Sequence, residues 1–393
     1  MKGPTGVTPR RLRDYASRCL ALEGYLDEPG DGRIFPQIPA GCLVWALLMG
    51  KVLRVNSLHG VEDLLGVAAG ALGVGRPFGD DALAYFTERL SVQRLRQALA
   101  GVVRRSKRNK VWENSTLLGV ALDGTGAGRS GACRCALCHK QGNGYGHKVS
   151  AISVVGGGLD LPFDVEPYVP GEGEITASKR LLERAIGLLG PRFADYVVVD
   201  GLYAGVPFIE LAESLGLAVV IGLKDNLPEL YRSAQERFRD RPPCTCFAHQ
   251  GGQVEIWDGD DFEPWGDLAW SSVRVVRYRQ VRSDGKTFEA YWLTSFSSKR
   301  VGPRALFHLC KSRWGIENHT FNDAKNRYGL GHIAHHEANS ILIDALLTFL
   351  ALCVERLYRL RYLRRGTHPP LSAMELVRRL WISLGSPEAY DTS

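Results

Sequence analysis

Three acidic residues define the chemistry open to this chain. Glu317 stands within SRWGIENHTFNDAKNRYGLGH, Ser312 to His332, with Arg313 four residues before it and Phe321 and Lys325 continuing the same interval. On a helix all four share one face. A carboxylate between two cations suits a polyanion held near a metal; an ordinary surface helix with an i,i+4 ion pair has the same pattern. Asp123 follows an apolar run in LLGVALDGTG and Asp200 follows another in YVVVDGLYAG. Both runs read as buried strands ending in Asp-Gly turns, which sets the carboxylates at the rim of a sheet, where α/β active sites gather. One strand-ending aspartate is equally a turn-former. Two of them plus a helical glutamate make an oxygen-donor set for a hard divalent cation, Mg²⁺ or Mn²⁺.

The elements that must position these residues can be read in outline. Thr8 and Pro9 read as the cap and first residue of a helix through RRLRDYASRC. Ile38 to Val55 reads as a buried helix, Val61 to Leu65 as the start of a short one, and Asp80 to Ala100 as amphipathic through Leu83, Phe86, Leu90, Leu95 and Leu99. Residues 1–110 are therefore expected to be all-helical, and no helix-turn-helix stands out. The basic run Arg104, Arg105, Lys107, Arg108 and Lys110 is either solvated surface or a phosphate contact. Strands are expected at Leu117–Asp123, Gly144–Val155, Leu161–Tyr168, Ala194–Asp200 and Leu217–Leu223, with helices at Thr176–Leu189 and Pro207–Leu215. A layered α/β catalytic domain would then occupy 111–226 and 296–355. Between its parts, residues 227–295 read as a mainly β insertion with strands at 254–257, 273–278 and 288–293 and a hairpin loop at 283–286. One helix is expected from about Pro303 to Arg327, an apolar one over Asn339–Tyr358, and a basic C-terminal tail over 356–393.

The ordered set LDGTG, VVVDGLY and RWGIEN resembles the DDE transposases of bacterial insertion sequences, specifically the IS4-like group. The resemblance spans roughly residues 35 to 350. It implies a ribonuclease-H-like catalytic domain, with Asp123, Asp200 and Glu317 as catalytic and metal-binding residues and Arg313 and Lys325 as phosphate ligands. That family's last motif runs tyrosine, arginine, glutamate, lysine; here the tyrosine position holds Cys310, and Lys325 falls one residue late. The resemblance further implies that residues 1–110 recognise the element's end DNA, with support of the catalytic domain as the alternative, that the insertion contacts DNA, and that the partners are double-stranded DNA of the element ends and target DNA. Metal-dependent strand cleavage would be followed by strand transfer, with Asp123 bridging two ions and Asp200 and Glu317 each holding one. Joining two inverted ends calls for a homodimer on DNA. A ribonuclease-H-like nuclease that does not join, or a domesticated non-catalytic DNA-binding protein, would share these motifs.

Composition agrees with such partners without requiring them. The formal charge is +7 over 393 residues and the isoelectric point is near 8.9, which permits nucleic-acid binding. No signal peptide is evident, and the apolar stretches Cys42–Met49 and Ile341–Val354 are too short to span a membrane. A cytoplasmic, nucleoid-associated bacterial protein without membrane contact is expected. Cys133, Cys135 and Cys138 form CxCxxC; Cys244 and Cys246 form CxC about a hundred residues on, with His139, His147 and His249 nearby. Soft donors at short spacing favour structural zinc, and one site drawing on both clusters would staple the insertion to the core. Free thiols and an iron–sulfur centre are the other readings. The zinc expectation owes nothing to the family resemblance.

Overall fold

The computed structural model describes residues 6–132, 134–364, 366 and 369–385. Six helices come first: α1 (Pro9–Cys19), α2 (Glu23–Asp27), α3 (Ala40–Val52), α4 (Leu58–Leu72), α5 (Asp80–Arg89) and α6 (Val92–Arg108). Thr8 caps α1 by accepting from the Arg11 N–H, with Pro9 at the first helical position, as its sequence predicts. α4 runs well past Leu65, through Gly66 and Gly70, to Gly73, whose φ of 74° closes the helix. The expected single helix over Asp80–Ala100 is two. Leu90 turns extended, and the Ser91 side chain caps a new start by accepting from Arg94 N.

The rest is built on one ten-stranded sheet. Its core strands are β1 (Gly119–Ser130), β3 (Gly144–Val155), β4 (Leu161–Pro167), β5 (Tyr196–Val199) and β6 (Ala218–Leu223), with β2 (His139–Gln141) at one edge. The helices α7 (Glu174–Leu189) and α8 (Val206–Ser214) provide the crossovers to the parallel neighbours β5 and β6. Antiparallel β4–β3–β1 followed by parallel β5 and β6 is a ribonuclease-H-like arrangement. The insertion continues this sheet. After α9 (Pro228–Arg239) come β7 (Thr245–His249), β8 (Gly252–Phe262), β9 (Val273–Val281) and β10 (Thr287–Thr294), and β10 pairs with β6 so that Leu293 faces Ile221. The path reads β2-β3-β1-β5-β6-β10-β9-β8-β7. Trp257, Tyr278, Tyr291 and Trp292 are buried in it as core side chains.

The chain closes with α10 (Pro303–Ser312), α11 (Asn322–Tyr328), α12 (Ala338–Tyr362) and α13 (Ala373–Ser383). α12 is buried almost continuously from Ser340 to Tyr358 and packs on β4, α3, α5 and α6, so the N-terminal helices and the sheet share one core. The expected basic tail therefore begins inside a buried helix. Arg356 is 5% exposed and donates to the Asp160 and His319 carbonyls and to the Asp323 carboxylate. Arg365 lies outside the described residues.

A buried ion cluster ties the two regions together. Asp164 on β4 accepts from Arg96 of α6 at 3.0 Å and Arg184 of α7 at 2.9 Å, and Glu166 accepts from both arginines and from Arg180. Breaking a buried pair leaves a charge without its partner, at a cost of about 3 kcal/mol. Arg96→Ala should lower urea-unfolding stability by about that amount, whereas Arg237→Ala, whose partner Asp261 is exposed, should cost under about 1 kcal/mol. Equal effects would show that the cluster does not fasten the helical region to the sheet.

Candidate active site

The parallel pairing of β1 with β5 sets Ala121 opposite Val198. Two residues farther along each strand stand Asp123 and Asp200, at the same end of the sheet. β5 stops there, and Asp200 caps a short 3₁₀ turn by accepting from Leu202 N at 2.9 Å. β1 does not stop. Asp123 pairs with Ala151 of β3, and the strand runs on to Ser130 with a bulge between Gly126 and Arg129. The glycine after Asp123 thus serves close approach and not a turn. A Cβ on Gly124 would sit 2.2 Å from the Tyr168 hydroxyl and 2.3 Å from a Glu174 carboxylate oxygen.

Glu317 arrives from the other side. The helix expected over 303–327 is present, but Ile316–Phe321 is π-helical between α10 and α11. Such wide turns recur at functional sites. Ile316, Thr320 and Phe321 are buried, and Thr320 pairs with Ser153 of β3 at 3.0 Å, which fixes the segment on the sheet. Arg313 Nη2 lies 2.7 Å from Glu317 Oε1, and Nη1 lies 3.7 Å from Asp123 Oδ2. The i,i+4 pair exists, and the same guanidinium reaches the β1 aspartate. Lys325 is exposed and lines an open groove of about 700 Å³ with Gly124, Arg129, Lys148 and Glu174. Among the described residues no three of these carboxylates bring oxygens within 4.8 Å of one another.

Glu174 is the residue that sequence reasoning missed. It opens α7, accepts from the Tyr203 hydroxyl at 2.8 Å and is hydrogen-bonded to Tyr168 as well. Tyr203 in turn meets Ser178, and Ser178 meets Ser150. Only an acidic residue in the first turn of a predicted helix hinted at it. Burial, with Glu317 and Glu174 as like charges, pushes the Asp123 carboxyl up to about 7, against the pull of Arg313 and the Gly124 N–H. A carboxylate this short of positive charge, among hard oxygen donors, fits a divalent cation.

Two other expectations are corrected. The basic run at the end of α6 sits where β1 and β5 begin, away from the Asp200 end; Lys107 donates to the Phe193 carbonyl. The cysteine clusters do not meet. Cys135 and Cys138 precede β2, whereas Cys244 and Cys246 are exposed at β7, the opposite edge of the sheet. A single zinc site drawing on both is ruled out. Cys133 lies outside the described residues. Instead, Cys135 and Cys138 Sγ lie 3.2 and 3.3 Å from His147 Nε2 and 3.7 Å from each other, a group able to hold a metal.

With this geometry in view, residues 115–354, more than half of the chain, match the transposase DDE domain. The chain belongs to that family. A cryo-EM structure of piggyBac transposase, in a synaptic complex with hairpin DNA, is similar with a TM-score of 0.50 over 97% of this chain and 80% of that one. At 12% identity this likeness concerns the fold alone. No curated protein matches the sequence. Among the described residues no helix is long and apolar enough to cross a membrane.

The Asp123 shift makes a stability prediction with a definite sign. Its folded-state pKa is raised, so folding at high pH must keep a charge where burial disfavours it. The cost is small below the ordinary carboxyl range, grows as pH rises from about 4 to about 7, and then levels off. Asp123→Asn should therefore stabilise the metal-free protein, and the gain should be larger at pH 8 than at pH 5 by about 2–3 kcal/mol. Urea unfolding in chelator at the two pH values measures it. A pH-independent effect would mean that the carboxylate is already compensated.

Proposed function

We propose that this chain is a metal-dependent transposase of the IS4-like group of bacterial insertion sequences, acting in the cytoplasm at the nucleoid. It would cut double-stranded DNA at element ends and join those ends to target DNA. The observation behind this reading is the strand register that puts Asp123 and Asp200 at one sheet end, with Arg313 tying Asp123 to Glu317.

In this reading Asp123, Asp200 and Glu317 hold Mg²⁺ or Mn²⁺. When bound, the ion would supply Lewis acidity to the scissile phosphate and favour the ionised form of Asp123. Arg313 is poised to exchange a carboxylate for a phosphate oxygen, and its fork suits a bidentate contact. Lys325 offers a point charge farther along the groove. Cleavage by water breaks the phosphodiester at the element end and frees a 3′-hydroxyl. Attack by that hydroxyl on a second phosphodiester forms one P–O bond as another breaks, so joining needs no external energy. Residues 1–110 would recognise or support the end DNA, the insertion at 227–295 would flank it, and a dimer would hold two ends together.

Incubation with candidate element ends, target DNA and Mg²⁺, scored for nicks and joined products, tests the assignment. Asp200→Asn and Glu317→Gln should each abolish both products while end-DNA affinity stays within about threefold of the parent, because phosphate contacts dominate binding. Apparent Mg²⁺ affinity should rise with pH toward and through about 7, because the ion must displace the proton that the metal-free Asp123 carboxyl still holds there. Nicks without joins would identify a nuclease instead. Light scattering with paired ends should show two chains per pair, with binding that falls steeply as salt rises.

A further inference from the structure

We infer that Cys135, Cys138 and His147 bind a structural zinc ion that pins the β2–β3 hairpin, and that this hairpin forms a phosphate-facing wall of the groove leading to Asp123. The zinc assignment stands on its own geometry; the phosphate wall rests on the DNA-processing reading above.

The donor distances are those of a tetrahedral centre. Zinc–sulfur bonds of about 2.3 Å and zinc–nitrogen bonds of about 2.0–2.1 Å put sulfurs about 3.8 Å apart and sulfur about 3.5 Å from nitrogen. The observed separations are 3.7 Å between sulfurs and 3.2 and 3.3 Å from sulfur to His147 Nε2. A disulfide would need the sulfurs about 2.05 Å apart. Two thiolates and an imidazole select zinc over the hard cations suited to the carboxylates. The framework is arranged for the purpose. His147 is 2% exposed and lies between two ladder pairs, Gly146 with Arg129 and Lys148 with Gly126. The cysteines sit in a tight turn, Cys138 N donating to the Cys135 carbonyl at 3.1 Å. In sequence, Cys133 belongs to the same CxCxxC run.

The hairpin needs such a fastening. β2 is three residues long, occupies the sheet edge and, among the described residues, pairs only with β3. A two-stranded ribbon of that length has little stability of its own. Beside it β1 reads Gly124-Thr125-Gly126-Ala127-Gly128-Arg129, poor in strand-forming side chains. Yet this part of the sheet presents Arg129, Gln141 and Lys148 to the groove that also contains Gly124 and Lys325. Its cations face the route a DNA backbone would take to Asp123, and a metal cross-link holds them at a fixed height above it.

The test uses the full chain purified without added metal. Elemental analysis should find about one zinc per chain. Cys138→Ser should lose it, His147→Cys, which keeps a soft ligand, should retain it, and the double variant Cys244→Ser with Cys246→Ser should match the parent. Hydrogen exchange over residues 134–148 should accelerate in Cys138→Ser while exchange over β5 stays slow, separating local loosening from general unfolding. Affinity for duplex end DNA should fall about tenfold in Cys138→Ser with a shallower salt dependence. A parent protein without zinc but with a protected hairpin overturns the inference, as does zinc lost with Cys244 and Cys246. Zinc bound and lost as expected with DNA affinity unchanged overturns the wall. A parent that binds no DNA but holds zinc at these residues refutes the DNA reading and leaves the metal site standing.

Discussion

The site depends on one electrostatic constraint: a carboxylate placed on a buried strand needs a cation. Asp123 cannot leave β1, because the residues before it are fully buried and its backbone is paired with Ala151. Burial and two neighbouring acids oppose its charge. Arg313 is the cation that favours the charge, and it is supplied by the helical segment that also carries Glu317. That segment must therefore lie over the sheet end, which is what the buried Thr320–Ser153 contact and the apolar Ile316 and Phe321 secure. Metal would relieve the same deficit that Arg313 relieves in part. The guanidinium and a divalent ion are then alternative answers to one charge imbalance, and in the proposed reading a bound ion would leave Arg313 free to engage phosphate.

How far the sequence discloses this arrangement depends on whether an interaction is local. The apolar runs before Asp123 and Asp200 are short-range signals, as is the Arg313–Glu317 interval. Each is legible because neighbouring residues suffice to specify it. The extent of β1 is not. GTGAG has the composition of a loop, and only pairing with β3, some twenty residues on, makes it a strand. Glu174 is invisible for the same reason: its place beside Asp123 is set by Gly124, Tyr168 and Tyr203 from three other segments. The cysteines show the limit from the other side. CxC and CxxC spacing reports that two thiols can share an ion but not which partner completes the set, and topology sends Cys246 to one sheet edge while His147 joins Cys135 and Cys138 near the other.

The N-terminal helices and the sheet are one packed body, and this constrains where DNA-directed charge can lie. Lys51 pairs with Asp344, Arg96 and Arg184 with Asp164, and Arg356 with Asp323. These cations hold the interior together and are not available to a polyanion. A count of basic residues along the chain overstates the binding surface, and the basic stretch at the end of α12 shows by how much. Among the described residues that line the groove, by contrast, Arg129, Lys148 and Lys325 stand with one carboxylate, that of Glu174. The net charge of +7 matters for encounter; the groove's own balance decides where a phosphate settles.

Hard and soft donors are segregated along the same pair of strands. The oxygen donors gather where β1 leaves the buried core, and the thiols and imidazole gather toward its far end, with His147 opposite the bulge between Gly126 and Arg129. The segregation follows from what each end of the strand can support. Near Asp123 the surrounding core gives rigidity, and the site can keep open, exchangeable oxygen ligands. Around the bulge there is little apolar side chain to bury, since Gly126, Ala127 and Gly128 carry almost none. A short edge ribbon in that position gains order from ligand bonds more readily than from packing, as small metal-bound domains do. Because thiolates disfavour Mg²⁺ and carboxylates are the poorer match for zinc, in the proposed reading each end would select its own ion, and a structural ion would sit on the same strand as the carboxylate site without the two exchanging metals.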